Sequence, residues 1–82
     1  MIGAGIVELD LHGMTKVQAK AAVDAKLRRC DKSVYRLRII HGYHGGTALR
    51  DMLRQEYKSH KKVLRVEIGI NPGETDLILR EF

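Results

Sequence analysis

Short runs in which apolar and charged residues alternate place the tightest limit on the fold of this chain. They occupy residues 7–11 (VELDL), 36–40 (RLRII) and 63–68 (VLRVEI). Successive strand residues point to opposite faces of a sheet, so each run gives a strand with one apolar and one charged face. A sheet covered by helices on both sides would instead show continuous apolar runs. The pattern therefore predicts a two-layer sandwich whose second sheet face is charged and open to water.

Two helix-like runs separate these strands. The first begins with a capping box, in which Thr15 is the N-cap and Gln18 follows three residues later. The second is predicted to begin at Thr47. Residues 71–73 (NPG) then form a turn, and residues 75–82 return as a final antiparallel strand. The predicted class is α/β, in the form of an α+β two-layer sandwich of order β-α-β-α-β-β. Its mixed sheet has four strands, both helices cover one face, and right-handed crossovers make the first three strands parallel.

Length, cysteine content and charge limit the setting in which the chain works. Its 82 residues predict one domain over residues 1–82, with residues 1–5 as a flexible end. The single cysteine, Cys30, cannot form an intrachain disulfide, which favours the cytoplasm. The apolar start soon meets Glu8 and Asp10, so neither a signal peptide nor a membrane association is indicated. The net charge of +5 favours contact with RNA or DNA.

Two His-Gly pairs follow the first two predicted strands, at His12 and at His41. Ligands of parallel α/β sheets bind beyond the carboxyl ends of the strands, so we expect the two imidazoles to converge there. Asp10 lies two residues before His12 and shares its sheet face, where a carboxylate orients the ring or favours its charged form. The candidate catalytic residues are therefore Asp10, His12 and His41.

The second pair opens a glycine-rich loop, residues 41–47 (HGYHGGT), that leads directly into a helix. Glycines allow close approach of the backbone, and helix N-termini attract phosphate. The candidate phosphate-binding residues are Gly13, Gly42, Tyr43, His44, Gly45, Gly46, Thr47 and Arg50. Histidines beside such a site suit phosphodiester cleavage, and they suit binding alone equally well. A structural histidine and a glycine that only permits a turn remain the alternatives at each position.

The sequence indicates no metal site. One cysteine and four histidines lack the paired spacing of zinc ligands. Glu8 and Asp10 share a face and would suffice for Mg²⁺, which accepts one or two carboxylates together with substrate oxygens, but nothing requires this ion. With three Tyr, one Phe and no Trp, base stacking is a minor resource, so recognition should use phosphate and shape.

Residues 9–13 (LDLHG), with residues 39–42 (IIHG) and 47–50 (TALR), resemble the two motifs of the Smr (small MutS-related) domain, in its stand-alone bacterial form. The resemblance implies a fold similar to the C-terminal domain of translation initiation factor three. It also implies DNA nicking or endonucleolytic RNA cleavage, with Asp10 and His12 in the motif tied to cleavage and His41 and Gly42 in the loop tied to binding or activity.

The chain departs from the family pattern in two places. Tyr43 and His44 stand where the family usually has glycine preceded by lysine, and residues 71–76 (NPGETD) replace the usual late glycine-rich signature. Two functions therefore lead, a nuclease and a non-catalytic RNA- or DNA-binding module that docks on the ribosome or on repair proteins. An enzyme that acts on a small phosphate compound ranks third, because a charged open sheet face favours a larger partner.

Overall fold

The polypeptide follows the predicted order of strands and helices. The computed structural model describes residues 5–42, 47–69 and 71–81. The six elements are β1 (Ile6–Asp10), α1 (Lys16–Arg29), β2 (Arg36–Ile40), α2 (Ala48–Glu56), β3 (Arg65–Glu67) and β4 (Glu74–Ile78). They form an α+β fold with two helices and a four-stranded mixed sheet, as the sequence predicts.

The strands lie in the order β1-β2-β4-β3, so the fourth strand is inserted between the second and the third. β1 and β2 are parallel, and β4 is antiparallel to both of its neighbours. β1, β2 and β3 therefore run in the same direction, which confirms the prediction from right-handed crossovers. The crossover rule does not predict that β4 lies between β2 and β3.

Helix α1 begins as its sequence indicates. The Thr15 hydroxyl accepts a hydrogen bond from the Gln18 N–H at 3.1 Å, and the Gln18 side chain accepts one from the Thr15 N–H at 3.0 Å. These bonds satisfy two N–H groups that the helix leaves without intrahelical partners. Ala19, Val23 and Leu27 form the buried face of the helix.

Both helices pack on the same face of the sheet. Leu53 of α2 and the following Tyr57 are fully buried in one cluster with the apolar residues of α1. The sheet contributes alternate residues to this cluster, including Leu11, Leu37, Ile39 and Leu77. Burial of one such aliphatic side chain stabilises the fold by about 1.5–3 kcal/mol relative to exposure. The fold therefore has two layers, one of helices and one of strands. Neither helix in the described segments is long and apolar enough to span a membrane.

The elements differ from the predicted ones mainly at their ends. β3 covers only Arg65–Glu67, although the N–H of Leu64 still donates to the carbonyl of Ile78 at 2.7 Å. Val63 is buried, whereas Leu64 and Ile68 are exposed. β4 ends at Ile78, earlier than the predicted limit of residue 82. Residues 1–4 of the predicted flexible end lie outside the described residues. Gly5 is described, and its carbonyl accepts hydrogen bonds from the N–H groups that lead into β2.

The second face of the sheet is charged, as predicted, but its surplus is acidic. Three arginines and five carboxylates point to this side: Arg36, Arg38, Arg65, Glu8, Asp10, Glu67, Glu74 and Asp76. Asp76 accepts hydrogen bonds from Arg36 at 2.5 Å and from Arg38 at 3.2 Å. Its side chain is only 7% exposed, so the two guanidinium groups neutralise a nearly buried carboxylate. This face therefore lacks free positive charge for a polyanion.

Candidate functional site

The carboxyl ends of β1 and β2 are neighbours, so the two His-Gly pairs meet at one edge of the sheet. The N–H of Leu11 donates to the carbonyl of Ile40 at 2.8 Å and extends the parallel pairing by one residue. A Cβ atom built on Gly42 would lie 3.9 Å from the Cβ of His12. The backbone segments that carry the two His-Gly pairs thus lie side by side at this edge.

Asp10 and His12 form a close pair on the open side of this edge. The Asp10 Oδ1 lies 2.6 Å from the Nδ1 of His12 and also accepts the His12 backbone N–H at 3.0 Å. That backbone hydrogen bond, followed by the one from the imidazole, lowers the pKa of Asp10 below its usual value near 3.8. A carboxylate that accepts the Nδ1 proton fixes the ring orientation and leaves Nε2 as the outward nitrogen.

Both members of the pair are accessible. The side chain of His12 is 76% exposed and that of Asp10 is 53% exposed. The Nε2 of His12 has no hydrogen-bond partner among the described residues. An oriented imidazole with one nitrogen open to solvent is suited to transfer a proton to or from a bound ligand.

Gly13 serves the turn that follows this pair. Its φ of 81° lies in the left-handed region, and the N–H of Met14 donates to the carbonyl of Leu11 at 3.0 Å. A Cβ at Gly13 would meet no atom within 4 Å, so the backbone angle alone explains the glycine. The turn sends the chain from β1 to the Thr15 cap of α1.

His41 occupies a different environment from His12. It is only 6% exposed, with Nε2 2.9 Å from the hydroxyl of Thr75 and Nδ1 2.7 Å from the carbonyl of Gly42. The cause is the period of the strand, because His41 continues the buried positions Leu37 and Ile39. The expectation that both imidazoles face one shared ligand is therefore not met. Thr75, which sequence analysis did not single out, is the polar residue at a core position of β4 that holds this ring.

The turn before β4 supports the second His-Gly pair. The carbonyl of the buried Gly73 accepts the N–H groups of His41 at 2.9 Å and Gly42 at 3.0 Å. The Asn71 side chain in turn accepts the Gly73 N–H at 2.9 Å. A Cβ at Gly73 would lie 3.4 Å from the Cα of Gly42, so the two segments are in tight contact. The sequence marked this turn but gave no sign of what it contacts.

The remaining phosphate-binding candidates are distributed around the start of α2. Tyr43, His44, Gly45 and Gly46 lie outside the described residues. Thr47 makes no capping bond to the helix backbone, and its hydroxyl donates to the Asp51 carboxylate at 2.9 Å, which lowers the pKa of Asp51. Arg50 also pairs with Asp51, at 3.2 Å. The Asp51 carboxylate, in the first turn of α2, therefore already binds the side chains of both Thr47 and Arg50.

No metal centre is formed by the part of the chain that the structure describes, since no three His, Cys, Asp or Glu side chains are grouped to hold an ion. Glu8 and Asp10 do share the open face, and a site completed by substrate oxygens needs no third protein ligand. The residues present thus suffice for Mg²⁺ only in the presence of a phosphate ligand.

Comparisons with known proteins agree with this architecture. No curated protein matches the chain. The crystal structure of the Smr domain of Thermus thermophilus MutS2 superposes with a TM-score of 0.83 and 30% sequence identity, over 92% of this chain and 99% of the other. The family model of the Smr domain matches residues 9–73, from the first residue of the LDLHG motif to the glycine that supports the second His-Gly pair. The chain therefore belongs to the Smr domain family.

Proposed function

We propose that this chain is a small endonuclease that hydrolyses phosphodiester bonds in structured RNA or DNA. The observation that carries the proposal is the Asp10–His12 pair, an oriented and exposed imidazole at the carboxyl edge of a parallel strand pair. Membership of the Smr family, whose members are associated with nucleic-acid binding and nuclease activity, supports the same substrate class.

In this proposal His12 moves the proton. Its Nε2 accepts a proton from the attacking hydroxyl as the new P–O bond forms and the P–O bond to the leaving oxygen breaks, while Asp10 stabilises the imidazolium. The leaving oxygen takes up a proton from solvent or from the imidazolium. Water as the nucleophile hydrolyses the bond directly, whereas a ribose 2′-OH gives a cyclic phosphate that water then opens. The short contact between Oδ1 and Nδ1 supports the orienting role of Asp10. Proton transfer of this kind contributes about 10²–10⁴-fold to a rate.

His41 takes a positioning role in the proposal instead of direct contact with substrate. Its ring joins β2 to Thr75 of β4, and its backbone N–H is bound to Gly73. These bonds fix the direction in which the chain leaves β2 at Gly42, where φ is 73°. The loop at residues 43–46 with Thr47 and Arg50 would then bind the scissile phosphate, which requires Arg50 to exchange Asp51 for the ligand.

Cleavage assays with matched histidine variants test the proposal. The substrates are a labelled structured RNA and a supercoiled DNA, each with and without Mg²⁺. We expect His12→Ala to lower cleavage at least 10²-fold. Thermal stability should hardly change, because the ring is 76% exposed. His60→Ala is the control, since His60 lies in the turn beyond α2 and packs against Tyr57, away from β1. Cleavage by His12→Ala at the wild-type rate would exclude the role assigned to this residue.

A nucleic-acid-binding module is the second candidate, and the burial of His41 favours it. With this ring enclosed, His12 is the single exposed imidazole at the described carboxyl edge of the sheet. An adaptor that docks on ribosomal RNA or on a repair complex needs no proton transfer. It would bind the same probes without cutting them, and His12→Ala would leave its affinity unchanged.

A further inference from the structure

Positive charge gathers at the end of the sheet opposite His12. A groove of about 400 Å³ is lined there by four cationic side chains, Lys32, Lys61, Lys62 and Arg80, which we name the basic groove. Among the lining residues Asp31 is the one carboxylate. Cations therefore outnumber carboxylates in this groove, in contrast to the open sheet face.

The groove lies at the amino end of β2, whereas His12 lies beside its carboxyl end. Leu79, which lines the groove, donates its N–H to the carbonyl of Tyr35, the residue before β2. Five strand residues separate the two ends, which corresponds to roughly 15 Å. The groove and the Asp10–His12 pair are therefore separated by at least the length of this strand.

The cations of the groove have few internal partners. Lys62 donates to the carbonyl of Leu27 at 2.9 Å, at the end of α1. Asp31 is engaged by Ser33, whose side chain and N–H bind its carboxylate at 2.6 and 2.9 Å. The side chains of Lys32 and Lys61 form no hydrogen bond or ion pair with the described residues.

Helix electrostatics does not account for this cluster. Cations in the last turn of a helix stabilise the helix dipole, and α1 already has Lys26, Arg28 and Arg29 at such positions. Lys32 and Lys61 lie in loops beyond α1 and α2, and Arg80 follows β4. Three separate loop segments thus bring four exposed cations and a single carboxylate to one groove, and the positive potential of such a surface favours an anionic partner.

We propose that the basic groove binds the phosphate backbone of a nucleic acid and anchors it at the opposite end of β2 from the Asp10–His12 pair. The proposal rests on the proposed function in that the ligand is the same nucleic acid, but it assigns a second contact that uses none of the candidate site residues. Phosphate contacts fix position without reading sequence. The groove therefore determines affinity and the placement of the strand, and it has no part in proton transfer.

Salt-dependent binding of a double variant tests this anchor. The probes are a labelled 20-base-pair DNA duplex and a labelled RNA stem-loop. Log affinity falls as log salt rises, and each lost phosphate contact decreases the magnitude of this slope by about 0.9 on duplex DNA. For Lys32→Gln/Lys61→Gln we expect the magnitude of the slope to be smaller by about 1.8. With equal affinities at 1 M salt, this difference makes the binding of the variant at 0.1 M salt about 60-fold weaker than that of the wild type. In a cleavage assay KM should rise while kcat is unchanged.

A control variant with the same net charge distinguishes the effect of the basic groove from the effect of total charge on affinity. Lys16→Gln/Arg65→Gln removes two exposed cations, one in the first turn of α1 and one on β3. An equal loss of affinity in this control would overturn the basic groove, as would a wild-type slope in the Lys32/Lys61 variant. If the wild type binds neither probe, the proposed function fails as well, so the two failures are distinguishable.

Discussion

Removal of one hydroxyl group, in Thr75→Val, tests whether His41 is held by the structure as its geometry indicates. Thr75 is fully buried, and its hydroxyl is the partner of the His41 Nε2 at 2.9 Å. Valine keeps the volume of threonine but leaves that nitrogen unpaired in the core. A buried polar group without a partner costs about 1–3 kcal/mol. For a domain of this size, each kcal/mol lowers Tm by about 4–8 °C, so a cost near 2 kcal/mol predicts a decrease of roughly 8–16 °C.

Thermal and urea denaturation followed by circular dichroism at neutral pH measure this cost. Thr75→Ser is the matched control, because it keeps the hydroxyl and loses one methyl group, at about 1 kcal/mol. In a His41→Leu background the Thr75→Val substitution should cost little, since two apolar partners leave nothing unpaired. A Thr75→Val protein that melts within 2 °C of the wild type, where a cost of about 1 kcal/mol already predicts a decrease of about 4 °C, would refute the reasoning. So would an equal cost in both backgrounds.

Two further predictions concern carboxylates whose pKa values the fold lowers. Titration of the Asp10 carboxyl by NMR should give a midpoint below 3.8, and His12→Ala should raise it only in part, because the backbone N–H of residue 12 remains the main donor. For Asp24, burial raises the pKa but hydrogen bonds from Tyr57 and Lys20 outweigh it. Its contribution to stability is therefore present at neutral pH and is lost as pH falls below about 3.8. Tyr57→Phe, which removes the 2.5 Å bond to Asp24, should cost about 1–2 kcal/mol at pH 7 in urea denaturation and less at pH 3; a pH-independent difference would contradict this account.

The predictions that came from local periodicity agree with the structure. The capping box at Thr15 and Gln18 places the start of α1, and the i, i+2 spacing places Asp10 beside His12 on the open face. Both features depend on residues within one turn or one strand, where sequence distance and spatial distance are coupled. The alternation of apolar and charged residues, which predicted the two layers, is also a property of residues within one strand.

Two features of the site were not predicted, and only the second depends on contacts between distant segments. Equivalence of the two His-Gly pairs was inferred from strand ends alone, but the strand period gives His41 the parity of Leu37 and Ile39. That signal was present in the sequence and would have predicted a buried ring. The contact of Gly73 with the second pair had no such signal, because it follows from the order of strands in the sheet.

The insertion of β4 between β2 and β3 also has a consequence for the order in which the chain folds. β4 comes last of the four described strands in sequence, yet it pairs with both β2 and β3. While the ribosome is still adding residues 74–78, β2 has one edge unpaired, and unpaired edges are sites of association with other chains. Closure of the sheet is thus a late, non-local event, which slows folding. β2 and β3 are therefore synthesised before β4, the strand with which both of them pair.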